Sequence, residues 1–218
     1  MTCYKYKVLI AGNHEVTFDI ENRRDIIGHY LKREEKDYLN LINEYEKQTR
    51  EKVMPEEFKL YNDNAVNFIK KQITEDNDLI YLEESSIAIE GLNIYGTPYS
   101  PFFYNWAFPT FLDHEREKGG ITASRWNKIP ENTDIVLVHG LPLNILDKTT
   151  SDEHTGCPFL AEKIAQVEPL LCIFGHIHEA YGCKQIENII YVNVSTLNFN
   201  YNVQNKPMLF DLIPFIDE

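Results

Sequence analysis

Short apolar runs separated by polar turns recur along the chain, and most are too short for helices. Residues 6–11, 79–82, 134–138, 170–174 and 189–193 are runs of this kind, rich in Val, Ile, Leu, Tyr and Phe, and each predicts a buried strand. Residues 86–90 and 92–95 predict two more strands joined around Gly91, so the middle of the chain forms antiparallel or mixed sheet. Residues 208–212 predict a final strand. Helical spacing appears at 158–166. It appears again between 21 and 52, through Ile26, Ile27, Tyr30, Leu31, Tyr38, Leu39, Ile42 and Tyr45, where Gly28 predicts a bend or two helices. A turn near Pro55 and a short helix over 64–73 follow. Strands alternating with helices in this way predict a layered α/β domain with mixed sheets rather than a simple doubly wound one.

Residues 96–111 break the alternation. Pro98, Pro101 and Pro109 forbid regular helix, while Tyr99, Phe102, Phe103, Tyr104, Trp106, Phe108 and Phe111 carry too much apolar surface to stand in water. This segment predicts a packed loop closing the sheet edge; it could also form one wall of a substrate pocket, where a planar group would stack.

Three of the strands run into turns that carry histidine. Gly12-Asn13-His14-Glu15 follows the run at 6–11, His139-Gly140 the run at 134–138, and Gly175-His176-Ile177-His178 the run at 170–174. The carboxyl ends of neighbouring parallel strands share one edge of a sheet, which is where such folds place their chemistry. Two histidines at i and i+2 could present neutral imidazoles to one ion, or form a polar turn with no special role. His139 alone reads equally as a ligand or as a structural imidazole. Four of the seven histidines fall at these ends, whereas His29, His114 and His154 sit in polar or helical surroundings and read as surface residues. An Asn carbonyl with imidazoles is a mixed N/O donor set suited to Mn²⁺, Fe or Zn²⁺ at a hydrolytic centre. A histidine outside the ligand set could protonate a leaving group.

Composition narrows the class. A formal charge of −13 and a pI near 5.0 disfavour a nucleic-acid-binding protein with a broad basic face, and no stretch reads as a membrane span or secretory leader. Cys3, Cys157, Cys172 and Cys183 lack paired CxxC spacing and read as reduced thiols of a cytoplasmic protein.

Several longer segments occur in a fixed order. They are residues 8–19, Ile94-Tyr95-Gly96-Thr97-Pro98, residues 126–131, Val138-His139-Gly140, residues 174–182 and Tyr191-Val192-Asn193-Val194-Ser195-Thr196. Together they resemble the calcineurin-like metallophosphoesterase superfamily, and within it the branch of small phosphodiesterases carrying a metallophosphoesterase domain and found in animal brain. The resemblance implies an α/β/β/α sandwich with mixed sheets over residues 1–218, read as a single domain. It implies two divalent ions (Mn, Fe or Zn) in the complete family site. Asn13, His139 and His176 would hold the second ion and His178 the first, while His14 would contact phosphate and donate a proton. Some members of the branch carry Gly at the position of His176. Leu141 stands where Pro is common, a change expected to alter loop stiffness more than chemistry.

The family's Asp-x-His and Gly-Asp motifs, which complete the first metal site, precede the position of Gly12, and only residues 1–11 stand there in this sequence. Asp19 and Asp147 do not match those positions. The expectation is therefore an N-terminally incomplete domain lacking its first strands and binding one ion or none. It is expected to be either part of a larger enzyme or a shortened protein that pairs its open edge with a partner or is poorly folded. The implied function is metal-dependent hydrolysis of a phosphoric ester, with a cyclic nucleotide or similar small phosphodiester as substrate. The alternative is an inactive nucleotide- or metal-binding regulatory protein with a degenerate half-site.

Overall fold

Val136 and Val138 point inward from a four-residue strand whose other two residues are half-buried, and this alternation sits at the middle of the largest sheet. The computed structural model describes residues 4–15, 18–19, 70–71, 79–102, 106–110 and 121–212. The predicted helical stretch over 21–52 and the turn near Pro55 lie outside the described residues. The predicted helix over 64–73 is described only at residues 70–71, which are helical.

The strands in chain order are β1 (Lys7–Leu9), β2 (Leu79–Tyr81), β3 (Ser85–Ile89), β4 (Leu92–Thr97), β5 (Ser100–Pro101), β6 (Pro109–Thr110), β7 (Ile135–Val138), β8 (Leu171–Phe174), β9 (Gly182–Ile186) and β10 (Ile189–Asn193). Among the described residues the bounded helices are α1 (Ile121–Trp126) and α2 (Pro158–Val167), with a 3₁₀ turn at His178–Ala180. The six-stranded sheet has the order β3-β4-β7-β8-β10-β9. Its four inner strands run parallel, through the pairs Thr97↔Val138, Leu137↔Ile173 and Asn193↔Phe174, and its two edges are antiparallel hairpin partners. β1 with β2, and β5 with β6, form separate parallel pairs. The expected α/β fold with mixed sheets is thus observed.

Local chemistry explains the elements. The β3–β4 turn has positive φ at both Glu90 (49°) and Gly91 (86°), the twist-matched geometry of a two-residue hairpin. α2 starts with Pro158, whose fixed φ suits a first helical turn, and ends at Glu168, whose left-handed backbone (φ 51°) returns its N–H to Ile164 O. Its Leu160, Ile164 and Val167 are buried in the same core as Val136, Cys172 and Trp126. The Trp126 indole donates to Cys157 Sγ at 3.2 Å within that core.

Two expectations change. The stretch Met208 to Leu212 is not a strand: it has no ladder partner, and Leu209 is 89% exposed. The place beside β10 is taken by β9, which folds back locally through Glu187-Asn188. β9 escaped the hydrophobic pattern because Cys183, Lys184 and Gln185 are all exposed, as an edge strand allows.

The described part of the aromatic segment is a packed loop. Tyr99, Ala107 and Phe108 are buried, the β5–β6 pair closes it, and Asp19 accepts the Phe108 N–H at its base. Nearby, Gly96 allows the β1–β2 pair to approach β4: a Cβ there would lie 2.3 Å from Leu82 Cβ and 2.9 Å from Ile10 Cγ2. Gly96→Ala is therefore expected to destabilise the chain by ~1–3 kcal/mol through overpacking. Urea unfolding measures this, and an unchanged midpoint would show that the approach yields freely.

Candidate functional site

β1, β7 and β8 each leave their sheets into the turns that carry histidine, and backbone bonds continue past the strand ends to hold those turns together. His139 N donates to Thr97 O (3.2 Å), and Gly175 N donates to His139 O (3.3 Å), so His139 is fastened on both sides. Asn13 and His14 occupy the tip of a turn closed by Glu15 N to Gly12 O (3.1 Å), with the Glu15 carboxylate accepting from Gly12 N (2.6 Å). Ala107 N then donates to Asn13 O (3.0 Å), tying this turn to the aromatic loop. Gly12 has a steric reason to be glycine, because an added Cβ would lie 2.7 Å from the His139 ring.

Three side chains converge. His139 Nε2 lies 2.9 Å from Asn13 Oδ1 and 3.2 Å from His176 Nδ1. A neutral imidazole nitrogen is either donor or acceptor, so His139 Nε2 offers at most one proton to these two neighbours. Asn13 is buried, and no partner meets its Nδ2. Burial, reinforced by the neighbouring histidines, pushes His139 down to about 3 and His176 down to about 4. Both rings are therefore neutral near pH 7, the form that ligates metal.

These spacings suit one divalent ion. Two N/O ligands each ~2.1 Å from an ion stand roughly 3.0–3.4 Å apart in octahedral or tetrahedral arrangements. Among the described residues there is no group of three His, Cys, Asp or Glu able to hold a metal; the trio here is two imidazoles and an amide.

His176 has φ 71°, and Ile177 N donates to Gly175 O at 2.9 Å, which makes it the centre of a three-residue γ-turn of the strained hand. A non-glycine residue held there costs of order 1–3 kcal/mol, and glycine would relax it. His178, two residues on, points elsewhere. Its Nδ1 lies 3.1 Å from Asn198 O, and since a carbonyl only accepts, Nδ1 carries the proton and Nε2 keeps its lone pair. Its ring meets Tyr201 edge-on at 5.1 Å. His14 is exposed and rests against Trp106 with ring centroids 4.7 Å apart.

All five residues line one cavity of about 750 Å³. Trp106, Phe102, Phe199 and Tyr201 give it aromatic surface, so the described part of the 96–111 segment is both a packed loop and a pocket wall. Thr149, Thr150 and Thr155 give it hydroxyls. The threonine loop did not stand out in the sequence. It is organised by Asp147, which is fully buried and accepts from Asn144 N (2.9 Å), Gly156 N (3.0 Å) and the His154 ring (2.6 Å). His154 is exposed, as expected, but it is not idle surface; His29 and His114 lie outside the described residues. Leu141 is fully buried and its carbonyl accepts from Cys157 N (2.7 Å), so the loop start is packed without proline.

The depressed imidazoles make the metal-free chain acid-sensitive. Folded values near 3 and 4 lie below the ordinary 6.5, so the unfolded chain binds the extra protons. Their contribution to stability is full above pH 6.5 and is lost as pH falls toward the folded values, at up to about 1.4 kcal/mol per pH unit for each ring. Urea midpoints in chelator between pH 7 and pH 4.5 should fall accordingly, and His139→Gln should flatten the slope. An equal slope in that variant would contradict the assignment.

No family model matches the chain. The chain is 35% identical over 211 residues to human metallophosphoesterase domain-containing protein 1, covering 96% of this chain and 56% of that protein. The mouse protein of the same name matches to the same extent, and UPF0046 protein T07D4.2 of Caenorhabditis elegans is 31% identical over 210 residues, covering 96% of this chain and 47% of its own length. The chain thus spans about half the length of the curated relatives it matches. Among solved structures, TT1561 of Thermus thermophilus aligns at 15% identity with a TM-score of 0.33, over 66% of this chain and 59% of that one, too loosely to bear on the fold. Along 96% of its length, and with a mixed α/β sheet, the chain is thus similar to about half of a metallophosphoesterase domain-containing protein.

Proposed function

We propose that the chain carries part of the centre of a metal-dependent phosphoric-ester hydrolase, with Asn13, His139 and His176 holding one divalent ion and His178 presenting its Nε2 to another. The observation that carries this reading is the convergence of Asn13 Oδ1, His139 Nε2 and His176 Nδ1 at 2.9 and 3.2 Å. Two imidazoles and an amide oxygen suit Mn²⁺, Fe or Zn²⁺, and such an ion supplies Lewis acidity toward phosphoryl oxygens.

The chain's own residues supply the rest. Asn13 and His139 form the floor, and burial keeps His139 and His176 free of competing protons. His14, at the cavity rim outside the hydrogen-bonded trio, contacts phosphate and delivers a proton to the departing ester oxygen. Trp106, against which His14 rests, fixes the reach of that ring. We assign a cyclic nucleotide or similar small phosphodiester as substrate. A 750 Å³ cavity lies within the range that encloses small ligands, and its aromatic side chains offer faces to a base. The acidic chain argues against nucleic acid as partner. Among the described residues no helix is long and apolar enough to cross a membrane; with Cys157, Cys172 and Cys183 all free thiols, we assign the cytoplasm.

A second reading, a regulatory protein that binds metal or nucleotide without turnover, uses the same cluster of Asn13, His139 and His176. Turnover separates the two. Calorimetric titration with Mn²⁺ is expected to show binding by the chain and its loss in His139→Ala; equal binding by both would overturn the ligand assignment. In Mn²⁺-dependent hydrolysis of bis-p-nitrophenyl phosphate, His14→Ala is expected to retain metal and lose about 10²–10⁴-fold in rate. Loss of metal in that variant would refute the proton-donor role, and absence of turnover in the unaltered chain with metal bound would favour the regulatory reading.

A further inference from the structure

Asn193 is the last residue of β10, level with Phe174 at the end of β8, and it is fully buried. Its side chain uses both amide hydrogens. Nδ2 donates to Ile177 O at 2.9 Å and to Leu146 O at 3.2 Å, while Oδ1 accepts from Ser195 N at 3.1 Å. The two carbonyls belong to different segments of the chain. Ile177 separates His176 from His178, and Leu146 directly precedes Asp147, the hub of the threonine loop. Ser195 Oγ donates to the same Ile177 O at 3.3 Å, and Ala180 N reaches it at 3.4 Å.

This bracing falls where the backbone needs it. His176 is held at φ 71°, a conformation that persists only when its surroundings over-determine it. Ile177 O belongs to the peptide joining Ile177 to His178, directly beyond that strained turn, so its fixation orients that peptide and holds the end of the turn. The same fixation sets where His178 begins. A second tie between loop and turn, Thr150 N to Glu179 Oε1 at 2.9 Å, is exposed and competes with water, whereas the Asn193 tie starts from a fully buried carboxamide.

We propose that Asn193 is the positioning residue of the centre: its buried carboxamide locks the His176–His178 turn to the threonine loop and thereby sets the aim of both imidazoles. The inference rests on the metal-holding role proposed above for those histidines. No other residue type fills the place. Aspartate has the same shape but, ionised, no hydrogen to give either carbonyl, and leucine removes the bonds to Leu146 O and Ser195 N and leaves Ile177 O only its longer ones from Ser195 and Ala180.

The test compares the wild-type chain with Asn193→Asp and Ser195→Ala. Ring nitrogens of ¹⁵N-labelled histidines are observed by long-range proton–nitrogen correlation at pH 8 in chelator, and Mn²⁺ affinity is then measured by calorimetry. In Asn193→Asp the ring signals of His176 and His178 are expected to move, with the Nδ1–H form of His178 giving way to a tautomer mixture, and Mn²⁺ binding to weaken about 10–100-fold. Ser195→Ala should move the same signals less, and it decides the question if Asn193→Asp does not fold. Unmoved rings and unchanged affinity, with only a lower melting temperature, would show a structural staple and overturn the proposal. A wild-type chain that binds no Mn²⁺ would overturn the metal reading instead, while the ring signals would still decide whether Asn193 positions the histidines.

Discussion

Three electron-rich groups face one another at the floor of the cavity, and the surrounding structure is organised to keep them there. Asn13 Oδ1 and His176 Nδ1 both contact His139 Nε2, with at most one ring proton on that nitrogen for the pair. Burial holds both rings neutral by disfavouring their charged forms. Within this cluster the Asn13 Nδ2 is buried without a partner. An orphaned amide nitrogen beside two neutral imidazoles marks the spot more firmly than any single histidine.

The fold meets this constraint with ordinary means. Parallel β7 and β8 lie side by side, so the residues after Val138 and Phe174 emerge at one edge, and backbone bonds carry the ladder past the strands into the turns. Gly12 removes the one Cβ that would collide with the His139 ring. The left-handed His176 is a local expense, of the kind found where geometry serves function rather than stability. Relatives with glycine at this position, implied by the family resemblance, would relieve the strain and lose a donor together.

Much of this was legible in the sequence, because its signals were periodic or placed at strand ends. The buried runs that became β4, β7, β8 and β10, the helix α2 and the three histidine turns were all visible as hydrophobic pattern followed by Gly, Asn or His. Elements that failed to announce themselves depend on partners. β9 is exposed through Cys183, Lys184 and Gln185 and exists because β10 lies beside it, while Met208 to Leu212 has strand-like alternation but no ladder partner. Asn193, Ser195 and Asp147 are small polar residues whose roles are set by which carbonyls and amides the fold brings to them. The nearest sequence signal is the polar ending of an otherwise apolar strand, Ile189 to Val192 followed by Asn193.

The most direct test of the central claim is anomalous diffraction from crystals of the chain grown with Mn²⁺. The account predicts a manganese peak within bonding distance of Asn13 Oδ1, His139 Nε2 and His176 Nδ1 together. A peak placed elsewhere, or full-strength data with no manganese peak at these three atoms, would contradict it.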